Sequence, residues 1–295
     1  MVGDYLVTTS IAEAIAFLAS RQGQARIIAG GTDLLIDLQE GKKETSCLVD
    51  ISSIQDLKNI LYEENYIKIG AGVTHNEVAR SPIIQQQATL LAEAAAIVGS
   101  PQIRNTGTIV GNIVNAQPAA DTAVALAALD AEVEVIDSKG RQYLRVTDCY
   151  AGRGISRIDS TRQLVVAVRF VPLKTGQGSA FIRFAMRKSL ALPIMNVAAI
   201  VAMEQGRITR ARVVVAPAGP APFRVERAEK LLCDQFPSKE NLRQAARVAA
   251  EEAPFRDSPL RGSREYRRAL AEVLVEEALA KAVQRAKESA GHGGY

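Results

Sequence analysis

Apolar positions recur along the chain with two periods, and the change from one to the other predicts the order of elements. Ile11, Ile15 and Leu18 follow a helical spacing behind Ser10 and Glu13, which form a capping box, so a helix is expected up to the polar RQGQ at 21–24. RIIA and CLVDI (47–51) read as strands, and YIKIGAG (66–72) alternates as a third. Thr74 and Glu77 make a second capping box, opening a short helix expected to stop near Pro82. ATLLAEAAAIVG (88–99) is a strongly apolar helix closed by Gly99 and Pro101. DTAVALAALD then predicts a helix and AEVEVI a strand. DSKG is a turn, RQYLRV its hairpin partner, and LVVAVRFV (164–171) a further strand.

The texture changes at PLKTGQG (172–178), a linker-like stretch. Alternating strands follow at 179–184, 196–203 and 207–216, the last two joined tightly by EQG (204–206). From about 224 onward the pattern is helical. This order predicts two α+β units with a boundary near 175 and no internal repeat.

Composition narrows the class. Of 295 residues, 47% are hydrophobic and 23% charged, enough apolar material for a full core. The net charge of +4 is mixed along the chain, and no basic block is interleaved with aromatics, which argues against nucleic acid. Cys47, Cys149 and Cys233 are far apart and form no CxxC pair. A disulfide framework, or a zinc or iron–sulfur site built by this chain alone, is not expected; buried thiols in a reducing compartment are. MVGDYLVTTS carries an acid where a signal peptide needs bases, and no apolar run reaches the roughly 18 residues of a membrane span. A cytoplasmic protein is expected.

Candidate chemistry concentrates in two glycine segments, both expected to be hydroxyl-rich loops. In IIAGGTDLL (27–35) an apolar strand runs into Gly30 and Gly31. Glycine accepts positive φ, so the chain can turn sharply and aim consecutive N–H groups into an anion-binding concavity. Thr32 adds a hydroxyl, and Leu34 and Leu35 are expected to anchor the following turn in the core. Asp33 should turn aside from a diphosphate toward amides or a sugar hydroxyl, because like charges repel. A plain strand-to-turn glycine pair accounts for AGGTD alone equally well. TGTIVGN repeats the ingredients with Gly107, Thr108, Gly111 and Asn112, and Asp121 follows. Two such segments suit a long ligand held from two sides, and a dinucleotide has that shape. Asp121 suits ribose or ribityl hydroxyls; as a helix N-cap it would be structural, and ligand contact is favoured.

Other motifs are weaker. GAGVTHN (70–76) follows a strand as a Rossmann loop would, but Asn76 replaces the third glycine and no acid follows at the required spacing. There is no Walker lysine. His75, in the first turn of a capped helix, reads as a surface or supporting residue, and His292 lies in the C-terminal tail, so no hydrolytic triad is visible. The paired carboxylates of YEEN and AEEAP read as solvated faces.

AGGTDLL (29–35), GSPQIRNTGTIVGN (99–112) and NAQPAAD (115–121) resemble the FAD-binding medium subunit of the molybdenum hydroxylases. That family includes bacterial xanthine dehydrogenases, carbon monoxide dehydrogenase, nicotinate dehydrogenase and aldehyde oxidoreductases. GSAFIRFAMRKSLALPIMNVAA (178–199) and RGSREYRR (261–268) look like its C-terminal domain, so the resemblance covers nearly the whole chain. It implies an α+β fold: a two-lobed FAD-binding domain of vanillyl-alcohol-oxidase type over 1–175 (lobes about 1–57 and 58–175). An α+β C-terminal domain with a small antiparallel sheet and helices would follow over 176–288, then a tail over 289–295.

The resemblance also implies site residues. Ile27, Ile28, Ala29, Gly30, Gly31, Thr32, Asp33 and Leu34 would wrap the diphosphate, and Thr108, Val110, Gly111, Asn112 and Asp121 complete the cradle. Val98 and Val165 match places that present apolar side chains near the flavin, and Arg183 falls where many relatives have lysine. The family's second segment is commonly TIGGN; Val110 replaces its first paired glycine, so that position is either in ordinary φ space or in a rearranged loop. An inserted [4Fe–4S] loop is excluded by the cysteine count.

The implied partners are a molybdenum-binding large subunit carrying molybdopterin and a small subunit carrying two [2Fe–2S] clusters, assembled as two heterotrimers. FAD would pass electrons to an acceptor such as NAD⁺, and no catalytic acid or base is expected of this chain. A self-contained FAD-dependent oxidoreductase of related fold and a non-catalytic nucleotide-binding module stand as alternatives.

Overall fold

In the computed structural model, residues 2–187 and 190–291 are described. The first layer comprises β1 (Asp4–Val7), α1 (Ile11–Arg21), β2 (Ala25–Ile28), α2 (Leu34–Gln39) and β3 (Cys47–Asp50). Its strands run parallel in the order β1-β3-β2, with the central β3 buried throughout. Ser10 Oγ caps α1 by accepting the Glu13 N–H at 3.2 Å, and the Glu13 carboxylate returns to the Thr9 N–H at 2.9 Å. Ala14 and Leu18 are the buried stripe of that helix.

Next come β4 (Ile60–Glu63), β5 (Tyr66–Gly70), α3 (His75–Arg80), α4 (Pro82–Gln87), α5 (Thr89–Ala96), α6 (Pro101–Thr106), α7 (Ile109–Val114) and α8 (Asp121–Ala128). β6 (Glu132–Asp137), β7 (Gly140–Arg145), β8 (Tyr150–Gly152), β9 (Ile155–Ser156) and β10 (Leu164–Phe170) follow. β4, β5, β10, β6 and β7, in that order, form an antiparallel sheet. The Thr74–Glu77 capping box opens α3 as expected. Pro82 does not simply end it: it opens α4 at the first helical position, where its missing N–H costs nothing. α8 is apolar all round after Asp121 and Thr122 and is buried along its whole length, as such a helix must be.

The third layer is β11 (Gln177–Phe184), β12 (Met195–Glu204), β13 (Arg207–Ala216) and β14 (Phe223–Arg224), antiparallel in that order. Gln205 and Gly206, with φ 49° and 78°, close the β12–β13 hairpin in the paired left-handed conformation favoured by right-twisted strands. α9 (Glu226–Leu232), α10 (Lys239–Glu252) and α11 (Arg264–Gly291) complete the chain. Leu242, Ala245, Ala246, Ala249 and Ala250 of α10 and Leu274, Val275, Ala278, Leu279, Ala282 and Val283 of α11 form stripes at helical spacing. α11 runs through Gly291, so the tail expected from 289 is helical up to that residue; 292–295, with His292, lie outside the described residues.

Alternation along β12 and β13 explains how the layers join. Val197, Ala199, Val213 and Val215 belong to the core beneath α10 and α11, while Ala198, Val214 and Ala216 belong to the core of the preceding layers. Both faces of the sheet are covered, which is why VAAIVAM (197–203) and VVVA (213–216) are apolar without a break. Polar staples reinforce the junction. Glu93 of α5 accepts from the Phe181 N–H (2.9 Å), Lys281 Nζ (2.7 Å) and Arg285 Nη2 (2.6 Å). Desolvation pushes its carboxyl up, but these hydrogen bonds outweigh it and hold the group below the ordinary range.

Candidate cofactor site

β2 ends in the core at Ile28 and then turns through Gly30 and Gly31 into α2. Gly31 sits at φ +68°, a conformation that an L side chain resists. Gly30 is required for a different reason. A Cβ there would stand 2.0 Å from Thr106 O and 2.7 Å from Thr106 C, so the turn lies directly against the backbone at the end of α6. The two glycine segments, distant in sequence, therefore meet. Together they wall a cavity of ≈ 440 Å³, within the usual range for small-molecule sites.

Residues 27–34 all line this cavity. Among the described residues, the N–H groups of Gly30, Gly31, Thr32 and Asp33 donate to no protein acceptor. Asp33 turns its carboxylate to Thr32 and Asn115. Desolvation and Asp37 raise its pKa, while Lys43 and those hydrogen bonds pull it back. Leu34 is half-buried and lines the cavity, and Leu35 is 51% exposed, so neither anchors the turn in the core: α2 is a short surface helix with no buried residue.

The second segment is not a loop. Thr108 is the N-cap of α7, its Oγ1 accepting the Gly111 N–H at 3.0 Å. Val110 is therefore helical and has negative φ, and its side chain is buried. The missing family glycine needs no rearrangement. Asn112 Oδ1 accepts from Thr122 Oγ1 at 2.8 Å, leaving the amide NH₂ without a protein acceptor among the described residues. Thr108, Val110, Gly111, Asn112, Val98 and Val165 all line the cavity.

Asp121 and Arg183 do not. Asp121 is the first residue of α8 rather than its N-cap, and its Oδ1 accepts from Arg183 Nε (3.1 Å) and Asn196 Nδ2 (3.0 Å). Arg183 also donates to Ala191 O. Burial raises the Asp121 carboxyl to about 6 in spite of Arg183 and Asn196. These residues latch α8 to β11 and β12.

Sequence reasoning missed two parts of the wall. Residues 154–156 and 158–160 line the cavity next to β2, where the Ile27 N–H donates to Ser160 O at 2.9 Å and Arg26 Nη1 to Ser160 Oγ at 3.2 Å. No motif marks them. His75 also lines the cavity and is 3% exposed, although its place in a capped first turn suggested a surface or supporting residue.

Residues 1–174 match the family described as the FAD binding domain in molybdopterin dehydrogenase, and residues 180–282 match the CO dehydrogenase flavoprotein C-terminal domain. The chain belongs to the FAD-binding medium subunits of the molybdenum hydroxylase family. The 6-hydroxypseudooxynicotine dehydrogenase complex subunit alpha of Paenarthrobacter nicotinovorans is 36% identical over 98% of each chain. The carbon monoxide dehydrogenase medium chain of Hydrogenophaga pseudoflava is 29% identical over 94% of this chain and 95% of its own. A solved structure of carbon monoxide dehydrogenase from that organism superposes with a TM-score of 0.90 at 28% identity, covering 97% of this chain and 98% of the other.

The medium subunit's own geometry fits FAD. A diphosphate needs several donors and little side-chain bulk, and the Gly30–Asp33 turn offers consecutive N–H groups with no acceptor among the described residues. Val98 and Val165 supply apolar wall for a flat ring. Among the described residues no helix is long and apolar enough to cross a membrane.

Proposed function

We propose that the cavity holds FAD with its diphosphate at the Gly30–Asp33 turn, and that the chain is the terminal electron-transfer subunit of a molybdenum-containing dehydrogenase. The observation that carries this is the contact between the two glycine segments across one cavity whose turn presents free N–H donors. In this reading residues 1–175 form the FAD-binding domain, with lobes about 1–57 and 58–175, and 176–288 the C-terminal domain. Bound FAD supplies the exchange between single electrons from [2Fe–2S] clusters of a small partner subunit and the pair taken by an acceptor such as NAD⁺. The chain's residues would bind and orient it: the N–H groups at 30–33 would hydrogen-bond the diphosphate, Asn112 would add an amide donor, and Val98 and Val165 would give apolar lining that excludes water.

A molybdenum-binding large subunit carrying molybdopterin would perform the substrate chemistry, in an assembly of two heterotrimers. Relatives named as a medium chain and as a complex subunit support a multi-subunit setting. The free thiols Cys47 and Cys149, both buried, favour the cytoplasm. The test is affinity purification of the tagged chain from its native host, with a visible spectrum, iron and molybdenum analysis and an NAD⁺-reduction assay. Flavin absorbance with both metals and two further chains is expected. Flavin without metals or partners would favour the self-contained oxidoreductase, and a chain that binds no flavin would overturn both.

A further inference from the structure

His75 is the first residue of α3, held in place by the Thr74–Glu77 capping box. Its backbone N–H donates to Gly107 O at 3.1 Å, which ties α3 to the point where the glycine segments meet. The imidazole is buried, yet no described residue hydrogen-bonds to it. Nδ1 is sealed from solvent with no hydrogen-bond partner, and no described residue bonds Nε2, which is not among the sealed atoms. The ring's Cδ2 edge, beside Nε2, flanks Gly107: it lies 3.5 Å from where a Cβ on that glycine would stand, and Thr32 Oγ1 lies 3.4 Å from the same point. Burying a polar ring without partners is costly, and such rings in native proteins normally have one. The cavity is the direction left for it.

Burial, with a smaller contribution from the Arg104 guanidinium, lowers the His75 pKa to about 4. The ring is therefore neutral at pH 7 and carries one proton. A sealed N–H with no acceptor is the costlier orphan, so the proton belongs on Nε2.

We propose that His75 is a cofactor-binding residue, donating its Nε2–H to an oxygen of the dinucleotide diphosphate beside Thr32 and Gly107. This rests on the reading of the cavity as the FAD site. It adds a donor from α3 to those of the two glycine segments, and it explains why a polar ring is packed where an apolar one would fold as well.

The experiment uses the full chain freed of flavin and titrated with FAD, with ADP and with riboflavin. His75→Phe removes no internal hydrogen bond, so its melting temperature should match wild type. Its FAD and ADP dissociation constants should rise about 10- to 100-fold, the usual effect of losing a hydrogen bond to a charged group, with riboflavin binding unmoved. His75→Gln, which keeps an N–H donor, should restore most of the affinity. The chain has two histidines, so ¹⁵N-histidine labelling gives a readable spectrum of the wild-type protein even if a variant misfolds. Saturating ADP should shift the His75 ring nitrogens and show the proton on Nε2. Unchanged FAD and ADP affinity in a folded His75→Phe, or ring signals indifferent to ADP, would overturn the assignment while leaving the FAD site standing. A wild-type chain that binds neither ligand would overturn both.

Discussion

Gly30→Ala is the sharpest test of how the cradle is built. The new methyl would stand 2.0 Å from Thr106 O and 2.7 Å from Thr106 C, and both are backbone atoms with no rotamer to escape into. The contact is short by more than about 1 Å, so the turn or the end of α6 must move by that much, and overpacking of this kind costs about 1–3 kcal/mol. The movement separates the Gly30–Asp33 donors from the α7 wall. Loss of even one hydrogen bond to the diphosphate, worth about 1.5–3 kcal/mol, weakens binding roughly 10- to 100-fold. Gly31→Ala is the control: its methyl meets only the movable ends of Ile28 (3.0 Å) and Leu35 (3.2 Å), and the φ of +68° costs about 1–2 kcal/mol without driving the two segments apart. Fluorescence titration of the flavin-free proteins with FAD, alongside thermal melts, separates the two. If Gly30→Ala binds FAD as tightly as wild type and melts at the same temperature, the close join between the segments does not matter and the argument for a shared cradle fails.

Further outcomes follow from other residues. Gly31→Val, β-branched at a left-handed position, should lose flavin while retaining the circular dichroism of the folded chain; full flavin occupancy would count against the cradle. Val110→Gly, which restores the common family residue, should destabilise the protein by about 3 kcal/mol through lost burial and helix propensity, read by urea denaturation, with FAD affinity nearly unchanged. A gain in stability would refute the helical reading of that segment. For Asp121 the folded carboxyl at about 6 binds its proton more tightly than the unfolded chain does, so its contribution is present at low pH and lost as pH rises from about 4 through 6. Wild type should thus lose on the order of 3 kcal/mol relative to Asp121→Asn between pH 4 and pH 7, measured by denaturant unfolding; parallel pH profiles would show that Arg183 and Asn196 compensate fully for burial.

What could be read from the chain followed from burial. Strands and helices with one or two covered faces carried a period or an unbroken apolar run, and β5, β10, β12 and β13 were legible for that reason. β1 and β4 are edge strands with mostly exposed residues, and α2 buries nothing, so none had a pattern to find. The error at 107–112 had another source. Glycine and hydroxyl residues suggested a loop, yet Thr108 followed three positions later by the Gly111 N–H it caps is a helix start, and Val110 was the clue that this stretch needed no left-handed residue. His75 was placed correctly at the head of α3, but which way its ring faces depends on Gly107 arriving from another part of the chain. No local rule contains that.

Asp121 and Arg183 are absent from the cavity wall, yet they connect to it through the start of α8. Asn112 lines the cavity, and its amide oxygen accepts from Thr122, so its NH₂ has no acceptor among the described residues. Thr122 adjoins Asp121 at the start of α8, and Asp121 accepts from Arg183 on β11 and Asn196 on β12. Asn196 Nδ2 also donates to Ala119 O at 3.1 Å, so the connection before α8 is held from the same side. Two sets of hydrogen bonds, joined through the adjacent residues Asp121 and Thr122, thus run from the wall of the cradle to the C-terminal sheet. Asn112 can keep its NH₂ directed at a ligand only while Thr122 holds its oxygen, and Thr122 is fixed only while α8 is latched. If Asn112 serves as a cofactor donor, the C-terminal sheet therefore does more than cover α8: through Asp121 it fixes the helix start from which Thr122 holds the Asn112 amide.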